Sequence, residues 1–214
     1  HQRETGVGNL RRFPRKQMNP IYNIPNLLTL LRILLIPVFL VLFYMQTPWA
    51  REAATAVFVL AAVTDWLDGY LARRMQLVSA LGAFLDPVAD KLMVATALVL
   101  LVQSDPQISV AVAAAVIIGR EIAISALREW MAEIGNRTRV AVSEIGKFKT
   151  AAQMVAISLL IYRDDLWGVP VYTVGLVLLY IAVVLTLWSM TLYLRAAWPS
   201  LRGDENGASP PPDL

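Results

Sequence analysis

The stretch DWLDGYLARRMQLVSALGAFLDPVADK, residues 65–91, decides how the chain is read. It lies between apolar blocks yet carries four aspartates. Asp65 and Asp68 are three residues apart and Asp86 and Asp90 four apart, so each pair shares one face of a helix. Gly69 and Ala72 continue the Asp65 stripe. A short turn around residues 75–79 joins the two segments and makes them antiparallel neighbours, so the four carboxylates converge. An aspartate costs roughly 2.5–3.5 kcal/mol at the centre of a membrane helix and less near its ends. One aspartate at that level serves as a helix cap. Four together repel one another and require protonation or a cation. A hard divalent ion takes such oxygen ligands, with water and phosphate completing its shell. Gly69 and Gly82 leave room beside it, and Arg73, one turn beyond Asp68, offers a guanidinium to a phosphate.

The rest of the 214-residue chain explains why these charges sit in so apolar a setting. The sequence is 57% hydrophobic and only 16% charged, against about 25% charged in soluble domains, and its mean hydropathy is +0.56. The apolar residues fall in six blocks: 26–44, 49–72, 82–102, 108–127, 146–162 and 169–194. Blocks of about 20 residues match a hydrocarbon core of about 30 Å. The fold expected is all-α: a polytopic membrane protein with six transmembrane helices and its active site at the cytoplasmic side. Pro37 falls within the first block and is tolerated there as a kink. Fourteen lysines and arginines lie on one side of the six blocks, and only Arg51 and Arg163 on the other. The positive-inside rule then places both termini in the cytoplasm. Arg32, Lys91 and Arg120 fall inside blocks; Arg32 and Lys91 are expected to pair with aspartates or to snorkel. Trp49, Trp167 and Trp198 fit an interfacial belt.

Residues 1–20 are expected to be a polar extension or cloning remnant, with Met18 a natural start. Residues 21–196 form the membrane domain, and 197–214 a disordered polar tail. With no cysteine, thiolate chemistry and disulfides are excluded. The one histidine, His1, is terminal and carries no expected role. Nothing points to a nucleic-acid partner. No strong internal repeat suggests a transporter. Intramembrane acids alone would still allow an ion-coupled transporter, but clustering near one membrane face rather than the midplane disfavours it.

The stretch resembles the signature of the CDP-alcohol phosphatidyltransferases: D-x-x-D-G-x-x-A-R, eight residues, G, three residues, D, three residues, D. Asp65, Asp68, Gly69, Ala72, Arg73, Gly82, Asp86 and Asp90 match every fixed position. At residue frequencies near 5%, a chance match is on the order of one in ten billion per starting position. The segments NIPNLLTLLR (Asn23–Arg32), GAFLDPVADK (Gly82–Lys91), REIAISALREWMAE (Arg120–Glu133) and VAVSEIGKFKTAAQM (Val140–Met154) are similar to the bacterial branch whose acceptor is glycerol 3-phosphate.

The resemblance implies an enzyme of phospholipid biosynthesis in the bacterial cytoplasmic (inner) membrane. It would use Mg²⁺ or Mn²⁺ to move the phosphatidyl group of CDP-diacylglycerol onto sn-glycerol 3-phosphate, releasing CMP. Asp65, Asp68 and Asp86 would hold metal. Asp90 would be the general base and would also touch metal. Asn26, Thr29, Asp65, Asp68, Gly69, Arg73, Ser79 and Gly82 would line the CDP-lipid. A dianionic acceptor needs its own cationic seat, for which Arg120, Arg128, Lys147 and Lys149 are the candidates, with Glu121 orienting Arg120. A homodimer is what the family suggests. Inositol phosphate or serine as acceptor is the alternative within the same chemistry.

Overall fold

The computed structural model describes residues 24–75, 80–133 and 144–202. They form six α-helices in chain order: α1 Ile24–Tyr44, α2 Ala50–Met75, α3 Ala80–Ser104, α4 Ile108–Glu133, α5 Glu144–Tyr162 and α6 Val171–Arg202. Each apolar block of the sequence became one helix, with ends displaced by a few residues. The largest displacement is at the C-terminus, where α6 runs on to Arg202, past residue 196. Residues 1–20, the expected extension, and 203–214 lie outside the described residues.

The breaks fall where the backbone cannot continue a helix. Thr47-Pro48 separates α1 from α2, and the amide of Ala50 bonds the carbonyl of Thr47 at 3.1 Å. Asp105-Pro106 ends α3. The α5–α6 link turns sharply through Arg163, Trp167 and Gly168, all at positive φ (66°, 51° and 81°). Of these only Gly168 adopts that conformation without steric cost. Pro37 and Pro87 lie within α1 and α3.

The helices alternate in direction. The N-terminal ends of α1, α3 and α5 therefore share one end of the bundle with the C-terminal ends of α2, α4 and α6. Hydrogen bonds between α1 and α3 at both ends show that these two helices run in the same direction. Thr29 of α1 donates to Asp86 of α3 near one end, and Tyr44 of α1 donates to Gln103 of α3 at 2.5 Å near the other.

The packed centre is small and tight. Phe39, Phe58, Leu98, Ile117, Ile157 and Leu179 are fully buried, and the rings of Phe39 and Phe58 are 6.0 Å apart. Gly175 lets α6 approach α5: a Cβ there would sit 3.0 Å from Cγ of Leu160. Around this centre the outward faces carry exposed Leu34, Val41, Val63, Val99, Val112 and Val184, a surface suited to hydrocarbon rather than water. Three helices contain segments long and apolar enough to cross a membrane: Leu27–Tyr44, Ile108–Met131 and Val171–Arg195. In α5 the apolar stretch Phe148–Tyr162 is shorter. α2 and α3, at 26 and 25 residues, are long enough at about 1.5 Å per residue, but they carry the aspartates.

Candidate active site

The polar side chains inside the bundle gather at the end where α1, α3 and α5 begin. The lower turns of α2 and the first turns of α3 bring Asp65, Asp86 and Asp90 toward α1. Asp65 forms an ion pair with Arg32 at 2.7 Å, and Arg32 is 1% exposed. Asp86 accepts a hydrogen bond from the fully buried Thr29. These contacts explain two of the few polar residues on α1. A buried cation there needs a carboxylate partner, and a buried hydroxyl needs an acceptor. Thr29, expected to reach the nucleotide, donates its hydroxyl to a motif aspartate. Arg32 pairs with an aspartate as expected. Lys91, expected to pair with an aspartate or to snorkel, acts electrostatically on Asp90, and its ammonium donates to Ser125 of α4, whose hydroxyl donates to the Glu121 carbonyl at 2.6 Å.

Gly82 is buried on the first turn of α3, where α3 must come close to its neighbours. Asp68, Gly69 and Arg73 lie in α2, Asn26 in α1 and Lys147 in α5, but their side-chain placement lies outside the described residues. So does Ser79 altogether. Trp66 and Tyr70 stack face to face, with ring centres 6.0 Å apart.

A second polar group lies beside the first. Glu121 of α4 accepts from Arg120 at 2.8 Å and from Lys149 of α5 at 2.9 Å, both on the same Oε1. The second guanidinium nitrogen of Arg120 donates to Ser189 of α6 at 2.8 Å. Its Nε is buried with no hydrogen-bond partner. Arg120 and Arg128, two turns apart on α4, both lie over the ring of Tyr193 of α6, at 5.9 and 6.0 Å. These residues line a cavity of about 290 Å³.

Asp90 connects the two groups. It lines that cavity, and its carboxylate interacts electrostatically with Asp65 and Arg32 on one side and with Glu121 and Lys91 on the other. The site thus places anionic oxygen ligands and a cationic chamber on either side of one carboxylate.

The residues suit a hard divalent ion by donor chemistry: carboxylate oxygens from two facing helices, close enough for Asp65 to feel the charge of Asp86. Among the described residues no three carboxylates are gathered at ligand spacing. The side chain of Asp68 is outside that set, and Arg32 holds the cationic position against Asp65.

Two contributors were not singled out in the sequence, and a third was foreseen in only one of its contacts. Ser189 and Tyr193 sit on α6, far from every motif, and nothing in their spacing marks them. Glu121 was foreseen as the partner of Arg120 but not of Lys149; the 28-residue separation hides that contact.

An all-helical bundle with an apolar exterior and a carboxylate cluster beside a cation-lined chamber defines a membrane-type protein able to handle phosphate-bearing ligands. The CDP-alcohol phosphatidyltransferase profile matches residues 22–188, and the chain belongs to that family. It is 55% identical over 176 residues to the CDP-diacylglycerol–glycerol-3-phosphate 3-phosphatidyltransferase of Shigella flexneri serotype 5b, covering 82% of this chain and 95% of that one. It is 56% identical over 188 residues to the Pseudomonas fluorescens protein of the same name, covering 85% and 93%. With the Escherichia coli K12 protein of that name the identity is 54% over 176 residues, covering 82% and 95%.

Proposed function

We propose that this chain transfers the phosphatidyl group of CDP-diacylglycerol to sn-glycerol 3-phosphate, forming phosphatidylglycerophosphate and CMP. The observation that carries the reading is the cationic chamber opening beside Asp90. Arg120, Arg128 and Lys149 set against Glu121 leave two positive charges, and Lys91 and Asp90 offset each other. That balance suits the two negative charges of a phosphate monoester. An acceptor without a phosphate, such as serine, would leave two partly buried cations uncompensated. Inositol phosphate carries the same charge, and the names of the relatives favour glycerol 3-phosphate over it.

In this reading Arg120 and Arg128 grip the acceptor phosphate and turn its hydroxyl toward Asp90. The Asp90 carboxylate takes the hydroxyl proton as the oxygen bonds to the phosphorus carrying diacylglycerol, and the bond from that phosphorus to the CMP oxygen breaks. Asp65, Asp68 and Asp86, with Asp90, would hold Mg²⁺ or Mn²⁺, which supplies neutralisation of the diphosphate charge. Gly69, Gly82, Asn26, Arg73 and Ser79 would border the cytidine diphosphate, and Lys147 would add to the acceptor seat. Arg32 fixes Asp65 and Thr29 fixes Asp86 from below.

Six membrane crossings fit this arrangement. The asymmetry of lysine and arginine supports both termini and the site on the cytoplasmic side of the bacterial inner membrane. A homodimer remains the family expectation.

The experiment is an acceptor screen on purified protein in detergent, following CMP release from CDP-diacylglycerol with Mg²⁺, with Mn²⁺ and with chelator. Glycerol 3-phosphate with either metal is expected to support turnover; serine, inositol and chelated samples are not. Turnover with serine, or undiminished turnover in chelator, refutes the assignment.

A further inference from the structure

The bundle has a second large cavity, of about 650 Å³, at the end opposite the aspartates. It opens between the ends of α1, α3 and α5 and the start of α2. Its floor is the bundle core: Leu101, Leu160 and Ile161 are buried there. Its rim is polar, with Tyr44, Thr47, Arg51, Gln103, Arg163 and Asp164.

The charges at this end are sorted. Glu52, Asp105, Asp164 and Asp165 make the face acidic overall, and the only two cations on that side of the sequence are Arg51 and Arg163. Both line the cavity, and of the four acids only Asp164 does. Asp105 is turned instead to the Tyr172 hydroxyl. The positive-inside bias disfavours cations on this side, so two converging on one cavity need a reason. Each also has a neighbour, though the Arg51–Asp164 pair is more than half exposed. Arg51 is paired with Asp164 at 3.3 Å, and the Arg163 guanidinium lies 5.3 Å over the Tyr172 ring on a residue at positive φ. Such a φ is uncommon outside glycine and costs free energy. The Thr47 hydroxyl is buried and has no hydrogen-bond partner among the described residues. Leaving such a group without a partner is unfavourable; a ligand reaching it would relieve that cost, and the two guanidinia set against one carboxylate leave positive charge for an anion.

We propose that this cavity is a binding site for the phosphate of an anionic phospholipid, on the membrane face opposite the active site. Two guanidinia against one carboxylate leave a single positive charge, which matches one phosphodiester. A guanidinium fork suits phosphate oxygens, and the Thr47 hydroxyl completes the set. The apolar floor suits the glycerol and first methylenes of a lipid better than a free anion. The inference rests on the membrane reading of the helices and is independent of which alcohol the enzyme uses.

The test is photolabelling of the purified full chain with a phosphatidylglycerol bearing a diazirine near its glycerol, with the sites mapped by peptide mass spectrometry. Label is expected within residues 42–54 and 160–164, displaced by unlabelled phosphatidylglycerol but not by phosphatidylcholine or inorganic phosphate. Labelling there should fall at least fivefold in Arg51→Gln/Arg163→Gln and about twofold in Thr47→Val, with CMP-releasing activity unchanged in both. Undiminished labelling in the double variant, or equal displacement by phosphatidylcholine, identifies ordinary boundary lipid and overturns the proposal. Displacement by inorganic phosphate identifies a small-anion site and overturns it too. If the double variant loses activity and so fails as a folded control, Thr47→Val decides: unchanged labelling overturns the proposal.

Discussion

Replacing Tyr193 with leucine removes the one aromatic face on which both Arg120 and Arg128 rest. A guanidinium over an aromatic ring gains about 0.5–1 kcal/mol when exposed and about 2 kcal/mol when desolvated. The Arg120 side chain is 10% exposed, so its contact belongs toward the upper figure, whereas Arg128 is exposed and belongs at the lower. Together the ring holds the two cations in register by about 2.5–3 kcal/mol. Arg120 keeps its bonds to Glu121 and Ser189 in the variant, so part of that positioning survives. A loss of about 1.4 kcal/mol in acceptor binding corresponds to a tenfold rise in the glycerol 3-phosphate KM. The KM for CDP-diacylglycerol should stay within twofold, because the seat proposed for that substrate lies on the other side of Asp90. Tyr193→Phe keeps the ring face and should behave as the parent. The assay is initial-rate CMP release with each substrate varied in turn. An unchanged acceptor KM in Tyr193→Leu refutes the positioning argument. Equal damage from Tyr193→Phe would show that the hydroxyl, not the ring, is what matters.

Glu121→Gln takes the shared counter-charge from Arg120 and from Lys149, which is 3% exposed. Breaking a buried pair costs about 3–5 kcal/mol; with Glu121 at 30% exposure about half of that is expected, seen as a lower midpoint of thermal unfolding in detergent and a higher acceptor KM. Asp90→Asn should lower kcat about 10²–10⁴-fold while CDP-diacylglycerol binding, measured by equilibrium filtration, stays largely intact. Binding lost as fully as in Asp65→Asn would make Asp90 chiefly a metal ligand. Gly175→Val should destabilise the bundle by about 1–3 kcal/mol, because its Cβ alone already meets Leu160 at 3.0 Å. A thermal midpoint equal to that of the parent would show that α5 and α6 separate freely.

The amount readable from the sequence differs sharply between the two halves of the site. The aspartate half is carried by residues three and four apart on adjacent helices, and local periodicity brings Asp65, Asp86 and Asp90 within electrostatic reach of one another. Its supports were legible only in part. Arg32 looked anomalous in an apolar block, and its pairing with Asp65 follows from the cost of burying a guanidinium. Thr29 was singled out as a nucleotide contact, and its hydrogen bond to Asp86 was not foreseen, because it depends on the packing of α1 on α3. Lys91 illustrates the same limit: its nearest acids in sequence are Asp90 and Asp86, yet its hydrogen bond crosses to Ser125. The acceptor half depends on α4, α5 and α6 meeting, and three helices of similar apolar composition can pack in several rotations. Hydropathy does not distinguish these rotations. Hence Arg120, Arg128 and Lys149 were visible as cations in unusual places, whereas Tyr193 and Ser189 were not visible at all.

By itself, the sequence determined the six helices, the pairing of the aspartates and the family, because each rests on spacing along one chain or between two helices joined by a short turn. Tertiary structure alone decided which side chains hold the cations. Glu121 bridges α4 to α5, Tyr193 carries two arginines from α4, and Arg51 and Arg163, 112 positions apart in the chain, line one cavity at the far end. Such contacts depend on how each helix is rotated about its axis, and in a bundle with an apolar exterior that rotation is set by close packing and polar pairing inside, not by a hydrophobic stripe along the chain.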